Sequence, residues 1–332
     1  MNKGKKNAID WLRVIACIGI IVMHIRFNSS YDTPGDLFVK IVDSFTDFVF
    51  LFMAISSFGL CCGYYHSFVD GSINWEYFYK RRLAKILPFF ITMILIDLCM
   101  SFSLDSLMQA LAESTLFHGF IPVEFSVIGV GWFLGVVFIF YLSFPFFCVL
   151  LKNKKTGWFA FIIALGLNLI CQYYFNLSRG NFAFSFCFFL IGGLIFLYKD
   201  RIERLSWWHF IVLISISIVL YYLKTSTITR GLLTASILAF AVSLDIRPFK
   251  PVSFISGISM EIYLCHMVIY RALERMNFIE VLGSGIVQYL ITCLVVFIGA
   301  CVMSVFVNSV LDKLFELIKK WYPDKSSVNK EY

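Results

Sequence analysis

Runs of about 20 apolar residues recur from one end of this chain to the other, with only short polar segments between them. A helix of that length crosses the hydrocarbon core of a bilayer, where an open backbone would find no water to bond with. The composition agrees, because 60% of the 332 residues are hydrophobic and only 15% are charged. The sequence therefore predicts an all-α, polytopic membrane protein.

About ten transmembrane helices are predicted, in one domain that covers residues 1–332. No hydrophilic stretch approaches the roughly 50 residues that a small additional domain would need. The first span shows no small-residue cleavage site, so we expect it to remain attached. The predicted spans cover residues 8–27, 41–64, 84–104, 128–151, 157–175, 181–198, 208–224, 230–247, 252–270 and 285–310.

The charges of the loops predict the orientation, since loops rich in Lys and Arg stay in the cytoplasm. The N-terminus, the alternate loops after it and the C-terminal segment from Lys313 carry 20 of the 28 basic residues, whereas the opposite loops carry 7. Both termini are therefore predicted to be cytoplasmic. The net charge of +7 follows largely from this asymmetry, and no recognition motif points to a nucleic-acid partner.

The first predicted span contains two side chains that are costly to bury, Arg13 and His24. They are 11 residues apart. That spacing places them within about 20° of the same helix face and roughly 16 Å apart along the axis. Asp10 can pair with Arg13 and lower the cost of its burial. An isolated membrane histidine usually makes an interhelical hydrogen bond, but an arginine on the same face favours a functional role.

A second polar stripe lies in the ninth predicted span. Ser259, Tyr263 and His266 follow one another at intervals of four and three residues, so they share one helix face. Glu261 faces elsewhere. Because this span also starts in the cytoplasm, we expect His266 at the depth of His24, where the two imidazoles can meet.

Three further carboxylates, Asp43, Asp47 and Asp97, lie at or inside predicted spans. They are either functional groups or ordinary partners for outer arginines such as Arg26 and Arg271. The ten cysteines show neither metal-ligand spacing nor a disulfide framework, so no metal site is predicted.

The segment NWEYFYKRRLAKILP places aromatic residues beside a basic cluster, as in an amphipathic helix at the membrane interface. Membrane anchoring through aromatic and basic lipid contacts explains this pattern. A site for an anionic ligand explains it equally well, so both interpretations stay open.

Several segments share the order and spacing of motifs in a known family. IDWLR followed by IACIGIIVMH gives Arg13 and His24, and FLFMAISSFGL, FYKRRLAKILP, GWFLGVVFIFYLSFP and SMEIYLCH follow. Together they resemble the acyltransferase-3 family of integral membrane O-acyltransferases. The chain departs from that pattern at Ser57, where glycine is usual, at Lys85, where arginine is common, and at Val137, where some members have glutamate.

The resemblance implies transfer of an acyl group, most often acetyl, from cytoplasmic acyl-CoA to a hydroxyl of a surface or lipid-linked carbohydrate. It also implies a multi-pass location in the plasma (inner) membrane of a bacterium. Acetyl-CoA or another acyl-CoA would be a co-substrate, and no tightly bound cofactor is expected. A homo-oligomer and glycan-assembly partners both stay open.

For the donor, the resemblance implies that Arg81, Arg82 and Lys85 bind the phosphates of CoA, with Arg13 deeper along the path. A channel along the face shared by Arg13 and His24 would carry the thin pantetheine arm and its thioester. The nucleotide would stay in the cytoplasm.

For the acceptor, the resemblance implies that His24 is the general base, because an imidazole with a pKa near ~6.5 accepts protons at neutral pH. Ser259, Tyr263 and His266 would orient that base or stabilise the thioester oxyanion, and a covalent acyl intermediate stays open.

Two other classes of protein must be weighed. A secondary transporter of a small anionic or sugar substrate would also have about ten spans with buried ionisable residues, but the chain shows no repeated halves. A receptor or scaffold would leave the intramembrane charges without a purpose. Uptake assays in vesicles separate a transporter from an acyltransferase.

Overall fold

The computed structural model describes residues 3–32, 34–121 and 129–321, and all regular secondary structure within them is helical. The α-helices are α1 (Lys3–Asn28), α2 (Asp36–Ser44), α3 (Phe48–Val69), α4 (Trp75–Met100), α5 (Leu104–Ser114), α6 (Trp132–Leu150), α7 (Lys154–Tyr173), α8 (Phe182–Ile202), α9 (Trp207–Leu223), α10 (Thr227–Ser243), α11 (Lys250–Gly257), α12 (Ser259–Arg275) and α13 (Ile286–Trp321). Short 3-10 helices lie at Phe45–Asp47, Phe117–Phe120 and Phe278–Glu280.

Seven helical stretches in the described part of the chain are long and apolar enough to cross a membrane. They are α1, the continuous pair α2–α3, α4, α6, α7, α8 and α13. If the bent pair α11–α12 counts as one span, the number of possible spans in the described residues rises to eight. Helices α9 and α10 are also apolar but shorter, at 17 residues each. The prediction of an all-α membrane protein is confirmed, whereas the count of ten and the orientation stay predictions.

Most of the predicted spans have different bounds in the structure, and three of the differences are informative. The span predicted at 252–270 is two helices, because the chain breaks at Ile258 with a bend of 71° between α11 and α12. The basic amphipathic segment is the first part of α4, which begins at Trp75 after Asn74 caps it with a side-chain hydrogen bond. The first residue of the span predicted at 128–151 lies outside the described residues, and α6 begins at Trp132.

Helix α1 lies at the centre of the bundle. It contacts α3, α10, α11, α12 and α13. Within its most apolar stretch of 18 residues, 67% of the residues are buried inside the protein. The corresponding share is 28% for α7 and 33% for α13, so these two helices are peripheral and face lipid. A polar side chain on α1 therefore points into the protein interior more easily than one on α7 or α13.

Helices α3 and α8 approach closely at Gly192. A Cβ atom at this position would lie 2.0 Å from the carbonyl oxygen of Ala54 and 2.3 Å from Ser57 Oγ. Ser57 Oγ donates to the carbonyl oxygen of Phe189 at 2.5 Å, and the rings of Phe50 and Phe188 stack nearby at 3.9 Å. Small residues of this kind allow membrane helices to pack backbone to backbone.

The basic loops gather at one end of the bundle, which we call the basic side. Asn7 Nδ2 donates to the carbonyl oxygen of Ile246 at 2.9 Å, which joins the N-terminal region to the loop before α11. Tyr65 Oη donates to the carbonyl oxygen of Leu151 at 3.0 Å, which joins the end of α3 to the loop after α6. The predicted orientation makes this side cytoplasmic.

Ion pairs tie the helices together at the opposite side. Arg26 pairs with Asp43 at 3.0 Å, and Arg271 pairs with Asp97. These two aspartates are thus partners of outer arginines, one of the two roles left open by the sequence.

Asp47 has a different arginine partner, Arg230, at 2.9 Å, and also accepts a hydrogen bond from Tyr221 at 2.7 Å. This network joins α9 and α10 to the start of α3.

Candidate active site

The centre of the site is a contact between two imidazole rings. His24 on α1 and His266 on α12 lie with Nδ1 of His24 2.8 Å from Nε2 of His266, and the two rings are nearly parallel. His266 is fully buried, whereas His24 is half-buried. The predicted meeting of the two histidines is confirmed. It joins α1 to α12 through two residues that are 242 positions apart in sequence.

The hydrogen bonds of this pair determine which nitrogens carry protons. Nδ1 of His266 lies 2.6 Å from the backbone carbonyl oxygen of Tyr263, and a carbonyl oxygen only accepts. Nδ1 of neutral His266 is therefore the donor, which leaves its Nε2 as an acceptor for Nδ1–H of His24. Nε2 of His24 is then the unprotonated nitrogen of the pair.

His24 lines a cavity of about 350 Å³ at the opposite side from the basic loops. We call it the outer cavity, after the predicted orientation. Its lining residues are His24, Asn28, Gly129, Val130, Met267, Tyr270, Arg271 and Glu274. An amide, a phenol, a guanidinium and a carboxylate thus surround the imidazole, which suits the recognition of a ligand with several hydroxyl groups.

Arg13 lines a second cavity, of about 310 Å³, on the basic side. We call it the inner cavity. Arg13 Nη1 lies 3.8 Å from Asp10 Oδ1, and the same carboxylate oxygen accepts a hydrogen bond from Ser256 Oγ at 2.7 Å. The pairing of Asp10 with Arg13 that the sequence suggested is present, and it also links α1 to α11.

Two of the three basic residues expected to bind CoA also line the inner cavity. They are Arg82 and Lys85, whereas Arg81 is exposed and lies outside the lining. The guanidinium of Arg82 donates to Tyr64 Oη at 2.6 Å and lies 4.9 Å from the centre of the Tyr64 ring. The ring of Tyr141 is 5.9 Å from the same guanidinium, so aromatic faces hold this cation at the cavity wall.

The break between α11 and α12 points the start of a helix at the inner cavity. Ser256, Gly257, Ser259 and Met260 all line it, and α12 begins at Ser259. The first turn of a helix offers unpaired N–H groups and a partial positive charge, which adds to the charge of the three cations. The inner cavity is therefore suited to an anion.

Ser259 and Tyr263 line the inner cavity rather than the outer one. Ser259 Oγ donates to the carbonyl oxygen of Ser256 at 2.9 Å, and Tyr263 Oη donates to that of Val130 at 3.1 Å. Both hydroxyls thus bond to backbone. Tyr263 contacts His266 through its carbonyl oxygen, so its phenol is not what holds the imidazole.

The two cavities share no lining residue among those described. In the part of the chain that the structure describes, the path expected along the Arg13–His24 face is therefore occupied by two separate cavities. Tyr263 lines the inner cavity and its hydrogen-bond partner Val130 lines the outer one, so this contact lies between the two.

Arg179 lines neither cavity, but it interacts with the site in a way that the sequence did not reveal. It lies in the loop between α7 and α8, where it was counted only as a loop charge. Its guanidinium donates to the backbone oxygen of Thr46 at 3.1 Å and stacks on Trp132 at 5.2 Å. From there it interacts electrostatically with both His24 and Tyr263. No periodic pattern in the sequence could have signalled an approach that depends on how the loop folds back.

Glu261 was expected to face away from the stripe on α12, and it does not line either cavity. It is buried, however, and its carboxylate interacts electrostatically with Lys85 across the wall of the inner cavity. Val137, one of the departures from the family pattern, lines the inner cavity with an aliphatic side chain. That position of the wall therefore contributes shape rather than charge.

The loop that carries Val130 is held by buried polar groups. His118 Nε2 lies 3.2 Å from the carbonyl oxygen of Gly131, and burial lowers the pKa of His118 below its ordinary value. Glu113 is fully buried beside the same glycine.

Within the described residues, no group of three or more His, Cys, Asp and Glu side chains could hold a metal ion.

The family model for acyltransferase-3 proteins, described as an acyltransferase domain, matches residues 6–305. The matched region contains both histidines and the cations of the inner cavity. Comparisons with curated proteins and with solved structures gave no significant match.

Proposed function

Because the chain belongs to the acyltransferase-3 family, we propose that it moves an acyl group, most often acetyl, from acyl-CoA to a carbohydrate hydroxyl. Acyl-CoA acts as a co-substrate from the cytoplasm, and the acceptor is a surface or lipid-linked glycan on the other face of a bacterial plasma membrane. The residues proposed to carry out this transfer are Arg13, His24 and His266, with Arg82 and Lys85 assisting in donor binding.

The observation that supports this proposal is a series of hydrogen bonds that runs from the backbone carbonyl oxygen of Tyr263 through His266 to His24. A base that is hydrogen-bonded to a second group, itself fixed by a third, is typical of sites that activate a hydroxyl nucleophile. Here a backbone carbonyl fixes His266, and His266 fixes the tautomer of His24. Nε2 of His24 is left basic beside a cavity with several hydrogen-bonding groups.

The inner cavity supports the donor half of the reaction. Acyl-CoA is a polyanion, and Arg13, Arg82 and Lys85 line the cavity together with the start of α12. These groups suit the phosphates and the carbonyl oxygen of a thioester. Entry from the basic side leaves the nucleotide in the cytoplasm and directs the acyl end towards Tyr263.

The chemical step requires the thioester to pass Tyr263 and reach His24 from the inner cavity. The acceptor hydroxyl gives its proton to His24 Nε2 while its oxygen forms a bond to the thioester carbonyl carbon. The carbonyl then re-forms, the carbon–sulfur bond breaks, and the departing CoA thiolate takes up the proton from His24. Nε2 of His266 accepts from Nδ1–H of His24 throughout, which stabilises the imidazolium that forms in between.

Arg179 adds a permanent positive charge within electrostatic reach of His24. A fixed cation near the reacting carbonyl stabilises the oxyanion of the tetrahedral intermediate, which is where most enzymes of this chemistry gain their rate. We assign this role to Arg179 rather than to Ser259 or Tyr263, whose hydroxyls bond to backbone carbonyls.

His24→Ala tests the proposal. A gene-deletion strain that carries this variant should lack the O-acyl signals that NMR detects in the affected surface glycan, a loss of about 100-fold or more. Immunoblots should show the normal amount of protein in the membrane.

The matched control is His209→Ala, since His209 is exposed at the start of α9 and bonds only to Ser206 in the described structure. Normal O-acylation with His24→Ala would remove this residue from the role of base. Vesicles that accumulate a sugar or an anion, with no O-acyl signal depending on the gene, would favour a transporter.

A further inference from the structure

A third cavity shares no lining residue with the inner or the outer cavity. It is a groove of about 380 Å³ whose floor is α8 and whose walls are α7 and α10. Its surface is almost wholly apolar, and its lining residues on α8 extend from Cys187 to Ile202. This stretch is about 22 Å long, more than the roughly 15 Å of hydrocarbon in one leaflet.

The two ends of the groove differ. At the outer end, Thr227 Oγ1 on α10 donates to Gln172 Oε1 on α7 at 3.3 Å, so the walls meet there. At the basic side, Trp158 and Tyr198 form the end of the groove, with Trp158 Nε1 donating to Tyr198 Oη at 3.1 Å. The aromatic pair of Trp158 and Tyr198 therefore marks the end of the groove nearest the basic loops.

Two cations lie at this end of the groove. Lys154 Nζ lies 4.7 Å from the centre of the Tyr198 ring, and the guanidinium carbon of Arg201 lies 6.0 Å from it. Neither has a carboxylate within ion-pair distance in the described part of the chain. The loops around them, 152–155 and 199–204, contain six basic residues against two acidic ones, Asp200 and Glu203.

We propose that this groove binds an anionic phospholipid of the cytoplasmic leaflet, with one acyl chain between α7 and α10 and its phosphate at Lys154 and Arg201. The apolar walls match the chain, and the two cations match the headgroup. Aromatic rings at the height of the headgroup are typical of membrane interfaces. A neutral lipid would gain the apolar contact but not the contact with the cations, so the groove selects for negative charge.

Photolabelling tests this site on the full chain in liposomes. One probe is phosphatidylglycerol with a photoactivatable group in an acyl chain, and the other is phosphatidylcholine with the same chain. After irradiation, mass spectrometry of peptides should find the anionic probe on α7, α8 and α10 at several times the level of the neutral probe. Each lost cation should lower the preference by roughly fivefold.

Two variants address the two halves of the site. Lys154→Ala with Arg201→Ala should remove the preference for phosphatidylglycerol, whereas the control pair Lys155→Ala with Arg204→Ala should keep most of it. Gly231→Leu places a side chain in the groove, where only Ile191 is near, and should reduce labelling by both probes.

Three outcomes would overturn the proposal. One is equal labelling of the groove by the two probes, which means ordinary bilayer contact. The second is an equal loss of preference in the control pair, which means diffuse surface charge. The third is a covalent product between two copies of the chain through groove residues, which means that a second copy covers the groove. The surface variants leave helix packing unchanged, so they remain informative even if Gly231→Leu fails to fold.

Discussion

Each polar side chain near the centre of this protein has a partner that limits what it can do. Asp10 bonds to both Arg13 and Ser256, which keeps the guanidinium at the inner cavity despite its position in the first span. His266 is held by one backbone oxygen and in turn holds His24. The positive charge of Arg13 is thereby fixed towards one end of α1, and the basic imidazole of His24 towards the other.

Arg13→Ala should impair use of the donor more than use of the acceptor. A hydrogen bond to a charged group contributes roughly 1.5–3 kcal/mol, so KM for acyl-CoA should rise by about tenfold or more. The measurement is initial rate against acyl-CoA concentration in liposomes. Lys155→Ala removes an exposed cation outside the cavity and is the control. An unchanged KM for acyl-CoA in Arg13→Ala would contradict a donor site at the inner cavity.

Tyr263→Phe separates the two contacts that this residue makes. The phenol bond to Val130 is lost, at a cost of about 1 kcal/mol in the free energy of unfolding, but the carbonyl that holds His266 stays. We expect kcat to remain within about tenfold of the parent value, far above that of His24→Ala. If both variants lost the same activity, the phenol itself would take part in the chemistry.

At the scale of helices, packing between α3 and α8 depends on the absence of a side chain at Gly192. Gly192 admits the backbone of Ala54 and the hydroxyl of Ser57, and any larger residue must displace backbone atoms. Helix α3 lines the inner cavity with Phe52, Ser56 and Gly59 among others, so this contact supports the site at a distance.

Gly192→Leu should therefore lower the free energy of unfolding by at least roughly 1–3 kcal/mol, the usual cost of overpacking. Thermal unfolding in detergent measures the effect. Gly166→Leu, on α7, is a matched control because a Cβ atom there has no atom within 4 Å. Equal stability of the two variants would show that α3 and α8 can separate without penalty.

Some of the site follows from helical periodicity, and some does not. The shared face of Arg13 and His24, and the stripe that contains His266, depend only on residue spacing within one helix. The break at Ile258 and the approach of Arg179 depend on how distant segments pack, which local spacing does not encode. The fold class was predictable because apolar length alone decides it, whereas the contact of Tyr263 with Val130 between the two cavities is a tertiary hydrogen bond between residues 133 positions apart.

For the whole molecule, the basic loops lie at one end and the ion pairs of Asp43, Asp47 and Asp97 at the other. The positive-inside rule predicts that the basic end faces the cytoplasm. Donor entry, and the lipid site on α8, both depend on that orientation.

Substituted cysteines test it. In intact cells, a membrane-impermeant maleimide should label Lys224→Cys and should not label Lys155→Cys until the membrane is opened. Both positions are exposed and lie at opposite ends of the bundle by the predicted topology. The unaltered protein measures the background from its native cysteines. The reverse pattern would place the inner cavity outside the cell and refute the proposed direction of transfer.

The hydrogen bond between Tyr263 and Val130 has an electrical consequence. A permanently joined pair of cavities would be an aqueous pore through an energised membrane, and protons would flow down it whether or not substrate was present. The phenol of Tyr263, bonded to the outer lining at Val130, helps to keep the two chambers apart in the resting protein, close to the imidazoles that handle a proton.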